Sequence, residues 1–290
     1  MSEKPPSDVP LPYADRPVAT APGHWVLARA GKRVLRPGGA ALTAAMLDHA
    51  RLPGSDVVEL APGLGRTAAE IVAARPASYT AIDRDPQAAA RVAAVVGDRG
   101  VVRQGEAADT GLDDACADVV VGEAMLTMQG DKSKAAIVAE AARVLRPGGR
   151  YAIHELGVAP DDIDEEYYTQ LRRDLARAIH VNARPMTAAA WRGLLEDAGL
   201  VVDWVDTAPM ALLKMSRNLR DEGPGGAARI MWNVMRDKAL RARVMEMRRT
   251  FTRYEKDMVG IALVAHKPEA GSGSEAAPEE AGAEGSSPEA

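Results

Sequence analysis

Residues 57–68 read Val57-Val58-Glu59-Leu60-Ala61-Pro62-Gly63-Leu64-Gly65-Arg66-Thr67-Ala68. The apolar run at the start predicts a buried strand, and the two glycines that follow predict a turn into a helix. Glycine has no Cβ, so the backbone can approach a ligand closely at this turn. The first helical turn leaves N–H groups unpaired, and these suit an anionic or electron-rich ligand. The stretch therefore predicts a strand, a turn and a helix with a ligand at the turn.

A second acidic residue follows the next predicted strand. Asp83 comes directly after the run Tyr79-Thr80-Ala81-Ile82, and a carboxylate at this place commonly binds the two hydroxyls of a ribose. From residue 56 to residue 153, apolar runs alternate with alanine-rich helical segments, which indicates a parallel sheet with right-handed crossovers. We therefore expect a nucleotide-like cofactor at the carboxyl edge of that sheet.

The pattern Gly63-x-Gly65-x-x-Ala68 also satisfies a relaxed dinucleotide fingerprint. Glu59 argues against that reading, since a carboxylate beside the turn would repel a pyrophosphate and would attract a cationic amino-acid group. Ala61 also stands where a dinucleotide turn usually has glycine. An NAD(P)-dependent oxidoreductase is kept as an alternative, although it would need Ser/Tyr/Lys or Cys/His sets that we do not find in the sequence.

The chain resembles the class I S-adenosylmethionine-dependent methyltransferases, of the small-molecule type that includes the ubiquinone/menaquinone and sterol/prenyl C-methyltransferase-like group. The resemblance rests on the order of seven segments: 59–65, Asp83, 105–108, 118–121, 143–153, 191–200 and 261–265. It implies an α/β, Rossmann-like, doubly wound, seven-stranded and mostly parallel sheet with helices on both faces. It also implies N-terminal helices and a helical cap inserted before the last strand. Ala61 and Pro62 depart from the family's first motif, where glycine and a small residue are usual.

The resemblance also implies a set of residues that bind S-adenosylmethionine. Gly63 and Gly65 would let the methionine portion lie against the backbone, Glu59 would accept from its amino group, and Asp83 would take both ribose hydroxyls. The full expected set is Glu59, Ala61, Gly63, Gly65, Asp83, Arg84, Gly105, Glu106, Ala107 and Glu123. Within this set, Arg84, Glu106 and Ala107 are expected beside the adenine.

Two residues are candidates for a catalytic role. Methyl transfer is an in-line displacement whose rate comes largely from positioning, and a general base is needed only if the acceptor loses a proton. Glu123 follows the fourth predicted strand, where the transferable methyl should point, and His154 ends the fifth. His154 would titrate near neutrality if unperturbed. A structural role is the alternative for each of them.

Composition excludes several classes of function. The 290 residues carry a net charge of −5 with 47% hydrophobic and 4% aromatic residues, so we expect a globular enzyme that does not bind nucleic acid. Cys116 is the only cysteine, which excludes an intrachain disulfide. No apolar run approaches the ~20 residues of a membrane span. We expect a cytoplasmic location, no metal, a small-molecule methyl acceptor as partner, and a chain that could form a homodimer.

The chain is expected to divide into three parts. Residues 1–22 are proline-rich and predicted to be loose, residues 23–268 form the methyltransferase domain, and residues 269–290 form an acidic disordered tail. Within the domain, residues 40–160 are the cofactor-binding core and residues 161–185 and 209–255 are the helical cap. Helices are predicted at 24–35 and 40–50, where they would close the pocket.

The methionine-rich cap favours an apolar or amphipathic acceptor, methylated at carbon or oxygen. Tyr13, Tyr167 and Tyr168 could gate the pocket. A protein that binds S-adenosylmethionine but methylates nothing, as a binding or assembly module, is the alternative from a different class.

Overall fold

A computed structural model describes residues 11–12 and 16–269. The expectations for the acidic tail, for Tyr13 and for most of the N-terminal segment lie outside these residues. The described part contains seven strands, which are β1 (Asp56–Leu60), β2 (Ser78–Asp83), β3 (Val101–Gln104), β4 (Ala117–Glu123), β5 (Leu145–Val158), β6 (Val201–Pro209) and β7 (Met258–His266).

All seven strands form one sheet in the order β3-β2-β1-β4-β5-β7-β6. The first five strands in this order pair in parallel, while β7 runs antiparallel to both β5 and β6. The chain starts at β1 in the middle of the sheet, winds outward to β3, and then returns to β4 on the other side of β1. This order confirms the predicted doubly wound, mostly parallel sheet.

Helices cover both faces of the sheet. Within the described residues they are α1 (Gly23–Arg29), α2 (Gly39–Ala50), α3 (Arg66–Ala73), α4 (Pro86–Val96), α5 (Asp131–Val144), α6 (Glu165–Ile179), α7 (Ala188–Glu196), α8 (Met215–Arg236) and α9 (Lys238–Arg253). One core layer packs α5 and α7 on the sheet through Val138 and Trp191. The other packs α2, α3 and α4 through Met46, Ile71 and Val92. The sheet is therefore the shared wall of two hydrophobic cores, as the parallel strands require.

The first helix is shorter than predicted. We expected a helix over residues 24–35, but α1 ends at Arg29 and the chain turns at Gly31, whose φ is 100°. The backbone amides of Arg33 and Val34 then donate to the Glu222 carboxylate instead of to helical carbonyls. A long-range partner thus replaces the local hydrogen bonds, and residues 32–38 form an extended segment that we call the N-terminal strap.

The strap passes directly over the last strand. A Cβ on Gly260 of β7 would lie 2.1 Å from the backbone nitrogen of Gly38, so only glycine permits this approach. The strap also contacts the first half of α8, where Lys32 Nζ donates to Asn218 Oδ1 at 2.7 Å and Arg217 donates to the carbonyl of Gly38 at 3.0 Å. The strap is therefore held between the sheet edge and α8.

Two long helices, α8 and α9, lie between β6 and β7 in the sequence. The helix α8 contains a break at Gly223, which has φ 71° and ψ 174° and precedes Pro224. Both residues oppose a continuous helix, since glycine adopts left-handed backbone angles readily and proline lacks the N–H donor. No helix among residues 16–269 is long and apolar enough to cross a membrane.

Candidate functional site

The glycine turn after β1 adopts left-handed backbone conformations, which gives a sharp bend at the carboxyl edge of the sheet. Gly63 and Gly65 have φ angles of 57° and 72°. Glycine adopts such angles without the steric cost that a Cβ imposes. Gly65 also caps the N-terminus of α3, so the first amides of that helix face the turn. The local geometry is the one that the sequence predicts for a ligand-binding turn.

Two alanines at the same edge share this unusual backbone. Ala61 follows β1 with φ 52°, and Ala124 follows the neighbouring strand β4 with φ 51°. A non-glycine residue in the left-handed region costs roughly 1–2 kcal/mol. Ala61 is where the resembled family has glycine, so the substitution has kept the conformation of the turn. Strained residues of this kind concentrate at functional sites.

Asp83 ties the glycine turn to β2. Its carboxylate accepts from the backbone amide of Gly63 at 3.2 Å and from that of Asp85 at 2.9 Å. Burial raises the pKa of Asp83, while these two hydrogen bonds lower it in part. The residue also lines the cavity described below. It therefore shapes the turn and presents a carboxylate to the space above it.

Glu59 lies on β1 beneath the turn and is only 2% exposed. The Tyr79 hydroxyl donates to its carboxylate at 2.5 Å. Burial raises the pKa of Glu59 to about 8, the hydrogen bond from Tyr79 lowers it, and the nearby carboxylate of Glu123 raises it further. A cation placed beside Glu59 would therefore be strongly favoured, because no cationic side chain is paired with this carboxylate among the described residues.

The residues expected beside the adenine lie at the open edge of the same cavity. Arg84 and Glu106 are exposed, and Gly105 and Ala107 are half-buried. All four line the cavity wall together with Glu59, Ala61, Gly63 and Asp83, while Gly65 is buried behind the turn. The structure therefore brings most of the expected cofactor set to one wall.

The cavity has a volume of about 570 Å³ and spans two chemically different regions. One end is formed by the glycine turn and the acidic residues after β1, β2 and β3. The other end is formed mainly by apolar side chains of α1, α6, α9 and the segments beside them. Its apolar wall comprises Leu27, Leu35, Ile137, Leu156, Leu175, Ile179, Val181, Met210, Leu212, Met247 and Phe251.

Glu123 sits between the two ends in a dense cluster of hydrogen-bond donors. Arg36 Nε lies 3.0 Å from one carboxylate oxygen of Glu123, and His154 Nδ1 lies 3.0 Å from the other. The hydroxyls of Thr43 and Thr67 donate to it as well. Burial raises the pKa of Glu123, but Arg36, His154 and Thr43 lower it to about 2 overall. The carboxylate is therefore ionised and engaged at both oxygens.

His154 is fully buried and does not line the cavity. It is the register partner of Glu123 on the adjacent strand β5. The backbone amide of Gly38 donates to its Nε2 at 3.0 Å, so the ring proton is on Nδ1 and points at Glu123. Both nitrogens are thus engaged. The catalytic roles expected for Glu123 and His154 stay predictions, and this geometry favours a positioning role for both residues.

The cluster around Glu123 joins five segments of the chain, which are the strap, α2, α3, β4 and β5. Arg36 also donates to the Thr67 hydroxyl at 2.7 Å, so the strap is tied to the first turn of α3. Sequence reasoning missed Arg36, Thr43 and Thr67, because we took residues 36–39 only as the end of a helix. The segment Arg36-Pro37-Gly38-Gly39 does not distinguish an arginine that becomes buried from one that stays exposed, so the sequence carries no signal for this contact.

His24 is a further cavity residue that is not among the candidates from the sequence. It lines the cavity at the start of α1, with its ring 4.8 Å from that of Trp25. Burial lowers the pKa of His24 to about 4, so its imidazole is neutral at physiological pH. Neither ring nitrogen has a hydrogen-bond partner among the described residues.

The polar end of the cavity fits the expected cofactor. S-Adenosylmethionine carries an ammonium group, a ribose diol and an adenine. The site offers a buried carboxylate without a cationic partner at Glu59, a second carboxylate at Asp83, and open space over Gly63, where a Cβ would meet only the Ala61 carbonyl at 3.9 Å. Carboxylates and a backbone cradle are the groups that such a ligand requires.

Comparisons with known proteins point to the same class of protein as the residues of this site. Residues 58–153 match the family described as "Methyltransferase domain". An uncharacterized protein of Haemophilus influenzae is 29% identical over 251 residues, which is 84% of this chain and 98% of that protein.

Two solved structures illustrate the likeness of the fold. The cyclase SpnF superposes with a TM-score of 0.64 at 16% identity, covering 90% of this chain and 99% of that chain. Phosphoethanolamine N-methyltransferase 2 of Haemonchus contortus, in complex with phosphomonomethylethanolamine and S-adenosylhomocysteine, superposes with a TM-score of 0.64 at 14% identity. The superposition covers 85% of this chain and 58% of that chain. Residues 58–153 therefore match a methyltransferase domain, and the motif order and the carboxylates above the glycine turn resemble those of the class I S-adenosylmethionine-dependent methyltransferases.

Proposed function

We propose that this protein transfers a methyl group from S-adenosylmethionine to a small, apolar or amphipathic acceptor, at carbon or oxygen. The observation that carries the proposal is a cavity of about 570 Å³ whose lining joins acidic residues at the glycine turn to a large set of apolar side chains. A cavity of this size is typical of small-molecule sites. Nucleic acid or protein acceptors would need an open groove instead.

The apolar end supports the class of acceptor. Its walls come from the cap helices α6 and α9 and from the residues that precede α8, and polar groups are few. The polar side chains at this end are His24, Thr127, Gln129 and Ser133. A few polar groups in an apolar chamber orient a ligand while burial supplies most of the affinity. An amphipathic metabolite with one hydroxyl or carbonyl group matches this composition.

Each of the lining residues has a distinct part in the proposed reaction. When bound, S-adenosylmethionine supplies an electrophilic methyl group. Glu59 would hold its ammonium group and Asp83 its ribose hydroxyls, while the N-terminal strap excludes water above them. Glu123 fixes Arg36, and therefore the strap, over the site. Holding donor and acceptor in line in a dry site contributes most of the rate.

For an acceptor that must lose a proton, we assign the proton-accepting role to His24. Its ring lines the cavity and neither ring nitrogen is hydrogen-bonded to a described residue, whereas the Glu123 carboxylate is already engaged by four groups. Burial lowers the pKa of His24 and so weakens it as a base, which suits removal of a proton that methyl transfer has already made acidic. The proton would pass from the acceptor hydroxyl, or from the methylated carbon, to a ring nitrogen of His24. The variants His24→Gln and Glu123→Gln separate the two roles in assays with the identified acceptor. We expect His24→Gln to lower kcat about 100-fold with unchanged cofactor affinity.

The Glu123→Gln variant should behave differently, because it leaves Arg36 with a weakened buried partner. We expect lower stability, by roughly 3 kcal/mol in urea titrations, and weaker cofactor binding. A Glu123→Gln protein that folds and binds cofactor normally but loses only kcat would restore Glu123 as the catalytic base.

The first experiment is a calorimetric titration with S-adenosylmethionine, S-adenosylhomocysteine and NADH in parallel. We expect saturable binding of the first two and none of NADH. Acceptors can then be screened by transfer of a labelled methyl group, beginning with prenyl, polyketide, quinone-like and sterol-like compounds. Binding of NADH alone would contradict the proposal and favour an oxidoreductase.

A second candidate is a protein that binds S-adenosylmethionine without transferring its methyl group. One observation favours it: SpnF, which covers 90% of this chain in the structural comparison, is named as a cyclase and not as a methyltransferase. In that case cofactor binding would persist, but no acceptor from the screened classes would gain the label. Transfer to any of them at a saturable rate would exclude this candidate.

A further inference from the structure

The outer surface of α8 and α9 carries an unpartnered apolar stripe. On the second half of α8, Ala228, Met231, Trp232 and Met235 are exposed and spaced by three and four residues, which places them on one helix face. Trp232 is 59% exposed and Met235 is 63% exposed. The same helix buries Ala227 and packs Ile230 and Val234 inward, so the core does not need these outer side chains.

Basic residues surround this stripe. The exposed cations from residue 229 to residue 249 are Arg229, Arg236, Lys238, Arg241, Arg248 and Arg249. Asp237 is the exposed acidic residue in the interval, and it caps α9 through the amides of Ala239 and Leu240. The Arg236 guanidinium lies 5.5 Å from the centre of the Trp232 ring. This surface is cationic although the net charge of the chain is −5.

Several of these cations are not used by the fold. Lys238, Arg241 and Arg248 form no ion pair within the part of the chain that the structure describes. Arg241 and Arg248 lie seven residues apart on α9, with exposed Met245 between them, so they share one helix face with Lys238. The opposite face of α9 contributes Met247 and Phe251 to the cavity wall. The cationic surface and the acceptor chamber are therefore two sides of the same helix.

We propose that this outer face of α8 and α9 docks on the surface of an anionic lipid bilayer. Tryptophan and methionine side chains flanked by arginine and lysine are the composition of interfacial helices, in which apolar groups enter the headgroup region and cations meet lipid phosphates. The docking would bring the apolar end of the cavity close to the membrane. The docking surface lies on α8 and α9 alone, and its binding to lipid does not depend on the reaction.

Other occupants fit the face less well. In a symmetric dimer the same patch meets itself, so its six cations would face six others. A nucleic acid would satisfy the cations, but it offers no apolar volume to the exposed side chains of Met231 and Met235. A bilayer satisfies both kinds of side chain at once.

The test is sedimentation of the full-length protein with vesicles. One set contains phosphatidylcholine alone and the other contains phosphatidylcholine with phosphatidylglycerol. We expect binding to the anionic vesicles that weakens as salt is raised. Trp232 is the most exposed of the four tryptophans, so a blue shift and quenching by brominated lipid should report its insertion.

Matched variants locate the contact. The double variant Arg241→Gln and Arg248→Gln should weaken vesicle binding roughly 30-fold, at the usual contribution of a basic residue near an anionic surface. Trp232→Ala should weaken binding and abolish the fluorescence change. The control is Arg103→Gln with Arg173→Gln, an equal change of charge at exposed sites on β3 and α6. The control should bind vesicles like the wild type. Circular dichroism and binding of S-adenosylhomocysteine verify that every variant is folded.

Several outcomes would overturn the proposal. They are equal affinity for neutral and anionic vesicles, equal loss in the control variant, tighter binding to duplex DNA than to vesicles at the same salt, or a dimer that the double variant dissociates. A protein that binds vesicles but not S-adenosylmethionine would leave the docking intact and contradict the proposed function alone.

Discussion

At the scale of single residues, Glu59 links cofactor binding to the release of a proton. Burial raises its pKa to about 8, so most of the population is protonated at pH 7. An ammonium group beside it would lower that pKa and expel the proton. We therefore predict that binding of S-adenosylmethionine at pH 7 releases most of one proton. The release should fade above pH 8, where Glu59 is already ionised in the free protein.

Calorimetry in two buffers of different ionisation enthalpy measures this proton directly. The observed binding enthalpy should differ between the buffers for the wild type and agree between them for Glu59→Gln. Glu106→Gln is the matched control, since it removes an exposed carboxylate of the same site and should keep the difference. Equal enthalpies for the wild type would mean that Glu59 does not meet the ammonium group.

The sequence anticipated the cofactor wall better than the catalytic residues. Glu59, the glycine turn and Asp83 are local in sequence, so their positions follow from one strand–turn–helix unit and its neighbour. The environment of Glu123 is not local, because its partners come from residues 36, 43, 67 and 154. Hydrogen bonds between distant segments leave no periodic signal in the sequence. In the structure they engage the Glu123 carboxylate, which is why the proton-accepting role is proposed for His24.

At the scale of elements, the strap depends on the first half of α8. The Glu222 carboxylate accepts from the backbone amides of Arg33 and Val34 at 2.7 and 2.8 Å. Both amides donate to the same oxygen, and Glu222→Gln removes the negative charge that strengthens these hydrogen bonds and pairs with Arg33. We therefore predict amide exchange in the strap that is roughly 10-fold to 100-fold faster, in line with hydrogen bonds to charged groups. Hydrogen–deuterium exchange with mass spectrometry resolves this peptide.

Glu196→Gln is a suitable control for that measurement. Glu196 is a half-exposed residue of α7 that pairs only with Arg192 on its own helix. Amide exchange of residues 32–38 in the Glu196→Gln variant should match that in the wild type. Unchanged exchange in Glu222→Gln would show that the sheet edge alone, through His154 and Glu123, holds the strap.

Element boundaries show where sequence patterns suffice. The start of α4, which is Pro86–Val96, carries a local sequence signal, because Asp85 caps the helix and Pro86 occupies its first position. The helix predicted at 24–35 was wrong beyond Arg29, because Glu222, nearly two hundred residues away, competes for the same amides. Helix capping by neighbouring residues can be predicted from the sequence, whereas competition from a distant hydrogen-bond acceptor cannot.

At the scale of the whole molecule, we propose that residues 23–268 fold as one domain. The walls of the cavity come from the sheet edge, the N-terminal strap and the cap helices. Unfolding of any one of these would expose the surfaces of the other two to water. We predict a single thermal transition that S-adenosylhomocysteine raises. At one hundred times its Kd the ligand adds about 2.7 kcal/mol, which for this size corresponds to roughly 5–10 °C.

Calorimetric scans with and without S-adenosylhomocysteine test this prediction. NADH at the same concentration should leave the transition unchanged, and Asp83→Asn should reduce the shift without removing the transition. Two separated transitions, of which only one responds to the ligand, would divide the cap from the core and contradict the proposed single domain.

The break at Gly223 and Pro224 has a consequence for the order of events in turnover. The first half of α8 grips the strap, and the second half faces outward beyond the break. If a ligand held beneath the strap leaves by opening that grip, departure of S-adenosylhomocysteine would be slower than methyl transfer. The first turnover would then appear as a rapid burst followed by a slower steady rate. The stiffness of four residues, Gly223-Pro224-Gly225-Gly226, would set the pace of the whole cycle.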